Sequence, residues 1–155
     1  MQRVPLDQPL PSPGLAPAPA YLTPARRLPA IYRAVERLPD AAVVAELPFG
    51  DPWYEVRYMF FAALHERQLL NGYSGVFPVS YQRRQAVLRA PLRDPAATRA
   101  ALHPATHVVV HESAWPDATG TAITTWLERE GAVRLGTVER AMLYQLPELG
   151  SRSIH

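Results

Sequence analysis

The stretch "AAVVAELPFGDPWYEVRYMFFAAL", residues 41–64, decides the fold class of this chain. Its first part, residues 41–49, is a short apolar run that ends at Pro-Phe-Gly, which is typical of a buried strand. Asp51 and Pro52 then supply an N-cap and a first-turn proline, so a helix is predicted over 52–68. A buried strand that leads directly into a capped helix predicts an α/β fold, with helices packed on a sheet.

The same alternation of strands and helices continues on both sides of this stretch. The last two predicted strands are so close in sequence that they must form a tight antiparallel pair. We therefore expect one α/β domain over residues 30–147, with a small mixed sheet flanked by helices in a three-layer arrangement and a C-terminal β-hairpin. The other predicted helices cover 30–38, 79–90, 94–103 and 117–131, and the other strands cover 106–112, 132–139 and 141–147.

Proline separates the start of the chain from the domain. Eight of the 17 prolines lie in residues 1–29, and a stretch with this composition forms neither a helix nor an interior strand. We interpret it as a Pro/Ala-rich linker or arm, and residues 148–155 as a C-terminal tail. The arm is expected either to be disordered or to wrap onto the domain through its apolar residues Leu10, Leu15, Tyr21 and Leu22.

The composition excludes several kinds of site. The chain contains no cysteine, which rules out disulfides, thiolate zinc sites and cysteine nucleophiles. All 16 basic residues are arginine, so no Schiff-base or phosphate-loop lysine exists in this chain. We interpret this bias as the mark of a GC-rich bacterial genome. The net charge is only +2 and the arginines are scattered, so no nucleic-acid partner is expected.

No apolar run is long enough to span a bilayer. The longest, "YMFFAAL", has seven residues, and the N-terminus lacks the continuous apolar region of a signal peptide. From the sequence we therefore expect a soluble chain.

Motifs for cofactors and metals are also missing from the sequence. No glycine-rich phosphate-binding loop follows the first strand, and "GYSGV" does not match a nucleophile elbow. His107 and His111 would lie about 13 Å apart on an extended strand, which is too far for them to share one metal ion. We interpret both as polar residues at strand ends, and expect no metal, no cofactor and no catalytic residue.

Glu46 is the first candidate for a ligand contact. It is a carboxylate inside an apolar strand, near the carboxyl end of that strand, where α/β sheets bind ligands. A buried carboxylate is strongly unfavourable unless it is paired. The alternatives are therefore a ligand contact and an ion pair with Arg57 or Arg67, and we expect the ion pair.

The segment "NGYSG", residues 71–75, is the second candidate. It is expected to follow a short strand at Gln68–Leu70 and to turn at the carboxyl edge of the sheet, with glycines that permit positive φ. Asn71 would hold the backbone of its own loop, and Tyr73 would either fill the core or offer an aromatic face to a sugar. The candidate ligand-binding residues are Glu46, Phe49, Asp51, Asn71, Tyr73 and Ser74.

Four segments of the sequence, which occur in a fixed order, resemble parts of a known protein family. The resemblance covers about residues 28–147, and its most specific elements are residues 71–75 with Phe77-Pro78, followed by Glu46-Leu47-Pro48. The segments resemble the soluble C-terminal region that follows the last membrane span in bacterial multi-pass glycosyltransferases of the C-type, mannosyltransferase-like superfamily, which use lipid-phosphate sugars. The four segments are "PAIYRAVERLPDAAVVAELPFG", "YMFFAALHERQLLNGYSGVFPVSY", "HPATHVVVHES" and "LYQLP".

The resemblance implies a location and a role. In that superfamily the catalytic acid lies in an early extracytoplasmic loop between membrane spans, and this sequence contains neither the loop nor the spans. The implied function is a non-catalytic accessory domain on the extracytoplasmic face of the inner membrane. Its partners would be the membrane-spanning part of a glycosyltransferase, or a glycan or lipid-linked sugar.

Two other functions remain open on the sequence. The chain could be a free-standing small α/β ligand-binding domain or enzyme with its site around Glu46, Asp51 and Asn71. It could also be an interaction module whose proline-rich arm docks a partner.

Overall fold

The computed structural model of this protein describes residues 13–18, 28–72 and 78–148. It confirms the predicted α/β class, with a five-stranded mixed sheet flanked by five helices and a C-terminal strand pair. In chain order the elements are α1 (Ala30–Glu36), β1 (Val43–Leu47), α2 (Pro52–His65), β2 (Gln68–Leu69), α3 (Val79–Leu88), α4 (Pro95–Leu102), β3 (His107–His111), a 3-10 turn (Glu112–Ala114), α5 (Thr119–Arg129), β4 (Val133–Val138) and β5 (Ala141–Gln145).

The strands are arranged in the order β2-β1-β3-β5-β4. β1 is parallel to both β2 and β3, whereas β5 is antiparallel to β3 and β4. After β1 the chain moves outward to β2, and after β3 it moves outward on the other side. The order therefore reverses between β1 and β3, and this is where open α/β sheets form a crevice at the carboxyl ends of their strands.

Helices cover both faces of the sheet. Successive residues of a strand point to opposite faces, so β1 and β3 each contribute to two core clusters. On the first face, α1 and α2 pack on Val44, Val109 and Leu143. On the second face, α3, α4 and α5 contribute Tyr81, Leu88, Leu102, Ile123 and Leu127, which cluster with Ala45, Leu47, Val108, Val110 and Tyr144.

Side-chain caps in the local sequence explain where two of the five helices begin. Asp51 and Asp94 accept hydrogen bonds from first-turn amides of α2 and α4, as predicted. α3 begins at Val79, as predicted, and its N-cap residue Pro78 provides no side-chain hydrogen bond. The carbonyl of Pro78 accepts the first helical hydrogen bonds of α3.

Part of the proline-rich segment lies against the domain. The amide of Ala16 donates to the carbonyl of Ala114 at 2.7 Å, and the carbonyl of Ala16 accepts from the Tyr54 hydroxyl at 3.0 Å. Leu15 packs against the core. Residues 13–18 therefore follow the carboxyl edge of the sheet. The other apolar residues proposed to dock, Leu10, Tyr21 and Leu22, lie outside the described residues.

Candidate functional site

Glu46 is fully buried on the face of the sheet that α1 and α2 cover. Its Oε2 accepts a hydrogen bond from the Tyr32 hydroxyl at 2.8 Å and lies 2.7 Å from Nε2 of His111. The side chains seen to contact the Glu46 carboxylate are thus Tyr32 and His111, where the sequence predicted an arginine. One of the two predicted arginines, Arg67, binds Asp40 instead, at 3.3 Å.

The register of β1 against β3 explains this pairing. Glu46 lies opposite Val109, so His111 is two residues further along on the same face and reaches Glu46 diagonally. Arg67 follows the end of α2, where its guanidinium donates to the carbonyls of Glu36 and Leu38. The sequence near Glu46 does not specify which distant strand will lie beside it.

Aromatic rings enclose the Glu46–His111 pair. The ring of Tyr58 stacks on His111 with centroids 5.4 Å apart, and Tyr32 stacks on Phe61 at 4.4 Å. Burial, and next the charge of Glu46, raise the pKa of the Tyr32 and Tyr58 hydroxyls well above their usual range. Both hydroxyls therefore stay protonated and act as donors, and Tyr58 donates to the carbonyl of Pro48 at 3.0 Å.

A second buried carboxylate, Glu55, lies in the first turn of α2. Its Oε1 accepts from the amide of Gly50 at 2.7 Å and from Nδ2 of Asn71 at 3.0 Å. Its Oε2 has no hydrogen-bond partner within the described ranges. Burial raises the pKa of Glu55 to about 7, although these hydrogen bonds lower it. This carboxyl group therefore changes its charge near neutral pH.

Asn71 connects Glu55 to the end of β1. Its Oδ1 accepts from the amide of Glu46 at 2.7 Å, and its Nδ2 donates to the carbonyl of Glu46 at 2.9 Å. The carboxamide thus extends the pairing of β1 beyond the last residue of β2, Leu69. The amide of Asn71 thus holds the neighbouring strand; the loop that it was predicted to hold lies largely outside the described residues. Its neighbour Gly72 does not adopt a positive φ.

A crevice of about 480 Å³ opens at the carboxyl edge of the sheet, near the point where the strand order reverses. Residues 13–15 of the arm form part of its wall. The segments that follow β1 and β3, and the turn between α3 and α4, line the crevice. Their aromatic and charged side chains there are Phe49, Asp51, Arg89, Arg93, Trp115 and Asp117.

The predicted site residues fall into three groups. Phe49 and Asp51 line the crevice. Glu46 and Asn71 are adjacent but enclosed, with exposed fractions of 0% and 6%, so they support the end of β1 from inside. Tyr73 and Ser74 lie outside the described residues.

Sequence reasoning missed four residues of the crevice. Arg89 and Arg93 follow α3, and Trp115 and Asp117 follow β3. None of them belongs to a motif, and they converge only because α3, β1 and β3 meet at one edge. The usable signal was the rule that ligands bind beyond the carboxyl ends of parallel strands, which could have been applied to β3 as well as to β1.

The charges that line the crevice are balanced between arginines and aspartates. Arg89 donates from Nη2 to the carbonyl of Gly50 at 3.2 Å. Asp51 caps α2. Asp117 accepts from the amide of Thr119 at 2.9 Å, and hydrogen bonding with Thr119 lowers the pKa of Asp117. Both carboxylates therefore act on the amino termini of helices that begin at this edge.

No protein-family model, curated protein or solved structure matches this chain. Across residues 13–18, 28–72 and 78–148, no three carboxylate or imidazole side chains converge as metal ligands do. Asp51 caps α2 and Asp117 accepts from the amide of Thr119, whereas Glu46 and Glu55 are enclosed by the packed elements.

Proposed function

We propose that this chain is a non-catalytic accessory domain that docks on the membrane-spanning part of a bacterial glycosyltransferase-like protein. The outer face of α2 carries the proposal. Helices of globular domains normally bury apolar side chains and expose polar ones, but α2 exposes only apolar residues and buries a glutamate and a histidine beside its core aromatic residues. Its exposed residues are all apolar, namely Pro52, Trp53, Val56, Met59, Phe60, Ala63 and Leu64, whereas its buried residues are Tyr54, Glu55, Tyr58, Phe61 and His65.

The apolar side chains of this outer face are substantially exposed. The exposed fractions of Trp53, Val56 and Phe60 are 48%, 51% and 49%, and Leu64 continues the same stripe one turn later. Contiguous apolar surface of this kind marks a site of interaction with a protein or a membrane. None of the helices in the described ranges is long and apolar enough to cross a membrane itself.

The charges near the outer face favour a protein partner over a lipid surface. Helices that lie on lipid carry lysine and arginine beside their apolar face, whereas no exposed position of α2 bears a charge. Arg57 is half-buried, with its guanidinium carbon 5.2 Å from the centroid of the Phe61 ring. Arg67, beyond the end of the helix, is engaged with Asp40. An apolar protein surface is the complementary partner.

The resemblance to the C-terminal regions of membrane glycosyltransferases supports a more specific partner. The segment "YMFFAAL" lies within α2 and belongs to the second of the four resembling segments. In such proteins the nearest apolar surface is the membrane-spanning part of the same assembly. We therefore propose that this membrane-spanning part packs against the outer face of α2.

Photo-crosslinking in the producing cells tests the proposal. A photoreactive residue is placed at Phe60, with a matched control at Thr125 on the exposed side of α5. We expect an adduct with a multi-pass membrane protein from position 60 and none from position 125. An adduct only with a second copy of this chain, with a soluble protein or with lipid contradicts the proposal.

The crevice favours a second candidate function, which is binding of a small ligand. Asp51 lines the crevice, and Glu46 and Asn71 hold the strand end behind it. A screen of sugars, sugar nucleotides and metal ions by nuclear magnetic resonance tests this function. We expect a ligand to shift the amide signals of Phe49 and Asp51, and shifts confined to other regions would argue against the crevice.

A further inference from the structure

We infer that the crevice binds an anionic sugar, either a sugar phosphate or a sugar acid, with its anionic group on Arg89 and Arg93 and its hydroxyl groups on Asp117. This inference rests on the second candidate function and is independent of the docking of α2. The crevice volume of about 480 Å³ lies within the range of about 300–1,000 Å³ that is usual for small-ligand sites.

The two arginines provide the anion-binding end. Both are exposed, and they lie four residues apart in the segment that follows α3. The bond from Arg89 to the carbonyl of Gly50 fixes its guanidinium beside the crevice. This bond uses one of the five N–H donors of a guanidinium. A guanidinium binds a carboxylate or a phosphate through two parallel hydrogen bonds, so this pair suits either anion.

The aspartates favour hydroxyl groups over an ammonium group. Asp51 is buried and holds the first turn of α2, so its charge is offset by the helix amides. Asp117 is exposed and accepts a hydrogen bond from the amide of Thr119 at the start of α5, so its charge is offset in the same way. The exposed arginines therefore make the crevice attractive to anions. Asp117 remains suitable as an acceptor from neutral hydroxyl groups, which distinguishes an anionic sugar from a free amino acid.

Apolar groups and the arm complete the site. Phe49 and Trp115 line it with aromatic side chains, which suit the C–H groups of a sugar ring. Residues 13–15 close one side, and the bonds of Ala16 to Tyr54 and Ala114 hold them there. A crevice bounded by the arm is matched to a short ligand more than to a long glycan.

Isothermal titration of the full chain tests the inference. The probes are glucose 6-phosphate, glucuronate, glucose and inorganic phosphate. We expect the two anionic sugars to bind and Arg93→Gln to weaken their binding by about tenfold, since a charge-assisted pair is lost. Arg93 is exposed, so the melting temperature should not change. Arg83→Gln is the matched control, because Arg83 is an exposed arginine of α3 that does not line the crevice, and it should bind as the parent does.

The other outcomes separate the inference from the second candidate function. Equal affinity for inorganic phosphate and glucose 6-phosphate would show that the sugar is not recognised. Binding of glucose alone would show that the anionic group is not recognised. Either result would overturn the inference and leave small-ligand binding in the crevice standing. If no probe binds and no crevice amide shifts, both ideas fail. Comparing glucose 6-phosphate with its octyl phosphodiester distinguishes the source, since tighter binding of the diester indicates a lipid-linked sugar and tighter binding of the monoester a free one.

Discussion

Helices α2 and α5 follow parallel strands of one sheet, yet they distribute their side chains in opposite ways. α5 buries Ile123 and Leu127 and exposes Glu128 and Arg129, as expected of a helix with solvent on one side. α2 buries a carboxylate and a histidine beside three aromatic residues, and exposes only apolar residues. The packing of α5 is complete once the domain has folded, whereas that of α2 leaves an apolar surface available for another contact.

The difference follows from what lies beneath each helix. α5 covers aliphatic strand residues such as Val108 and Val110. α2 begins at the carboxyl edge and covers the buried network of Glu46, Asn71 and His111, which requires polar partners. The polar inner side of α2 is therefore explained by the network, but its apolar outer side is not. The proposed docking on an external partner would account for it.

The largest expected effect comes from removing the centre of the polar network. Glu46→Ala leaves the Tyr32 hydroxyl and His111 without their acceptor, so we expect the free energy of unfolding to fall by about 3–5 kcal/mol. Urea denaturation measures this loss. Glu46→Gln keeps an oxygen acceptor and should lose less than half as much. An unchanged midpoint for Glu46→Ala would show that the network beneath α2 contributes no stability.

The stability of the protein should be sensitive to substitutions on the buried side of α5. Leu127 is 1% exposed in the core beneath α5, so Leu127→Ala should lower the free energy of unfolding by about 3–4 kcal/mol through lost burial and a residual cavity. Thermal and urea denaturation check the value. A loss below about 1 kcal/mol would mean that α5 packs more loosely than its burial indicates.

Glu55, on the buried side of α2, makes the stability of the protein depend on pH. Its pKa rises from 4.5 in the unfolded chain to about 7 in the fold, so the folded state holds the proton more tightly. The stability of the parent should therefore fall between about pH 4.5 and 7, by about 3 kcal/mol in total, and the decrease should be complete at higher pH.

Glu55→Gln imitates the neutral carboxyl group. At pH 8 it should be more stable than the parent by about 3 kcal/mol, and its denaturation midpoint should change less between pH 5 and 8. A variant that follows the parent across this range would rule out Glu55 as the titrating group.

The smallest expected change in stability belongs to the outer side of α2. Phe60 is about half exposed and its ring lies edge-on to that of Phe61, with centroids 5.3 Å apart, so Phe60→Ser should lower the free energy of unfolding by only about 1 kcal/mol. The same variant should lose the crosslink partner of α2, which affinity isolation of the membrane fraction measures. A loss as large as that of Leu127→Ala would show that Phe60 is part of the core, and the contrast between the two helices would disappear.

Local features of the sequence were sufficient for the elements of the fold. The caps Asp51 and Asp94 and the strand His107–His111 are set by residues that are neighbours in the chain. The mixed sheet and its C-terminal strand pair followed from the short connection between the last two strands. These signals act over a few residues, so they can be read without knowing the tertiary structure.

The candidate site depended on contacts between distant segments. His111 reaches Glu46 only because β3 lies beside β1 in one register, and Arg93 reaches the crevice only because the chain after α3 returns to the same edge. The sequence also shows that α2 is rich in apolar residues, but it does not show which side of the helix faces the sheet. Identification of the outer face required the packed structure.

The carboxamide of Asn71 also has a consequence for self-association. β2 is an edge strand of only two residues, so β1, which is longer, extends past its end. Without another partner, that part of β1 would present unpaired amides and carbonyls to other molecules. Such groups recruit strands from neighbouring copies and start aggregation. Because Asn71 already occupies both backbone groups of Glu46, a foreign strand cannot pair there. One side chain thus closes this part of the edge of β1 to further strands.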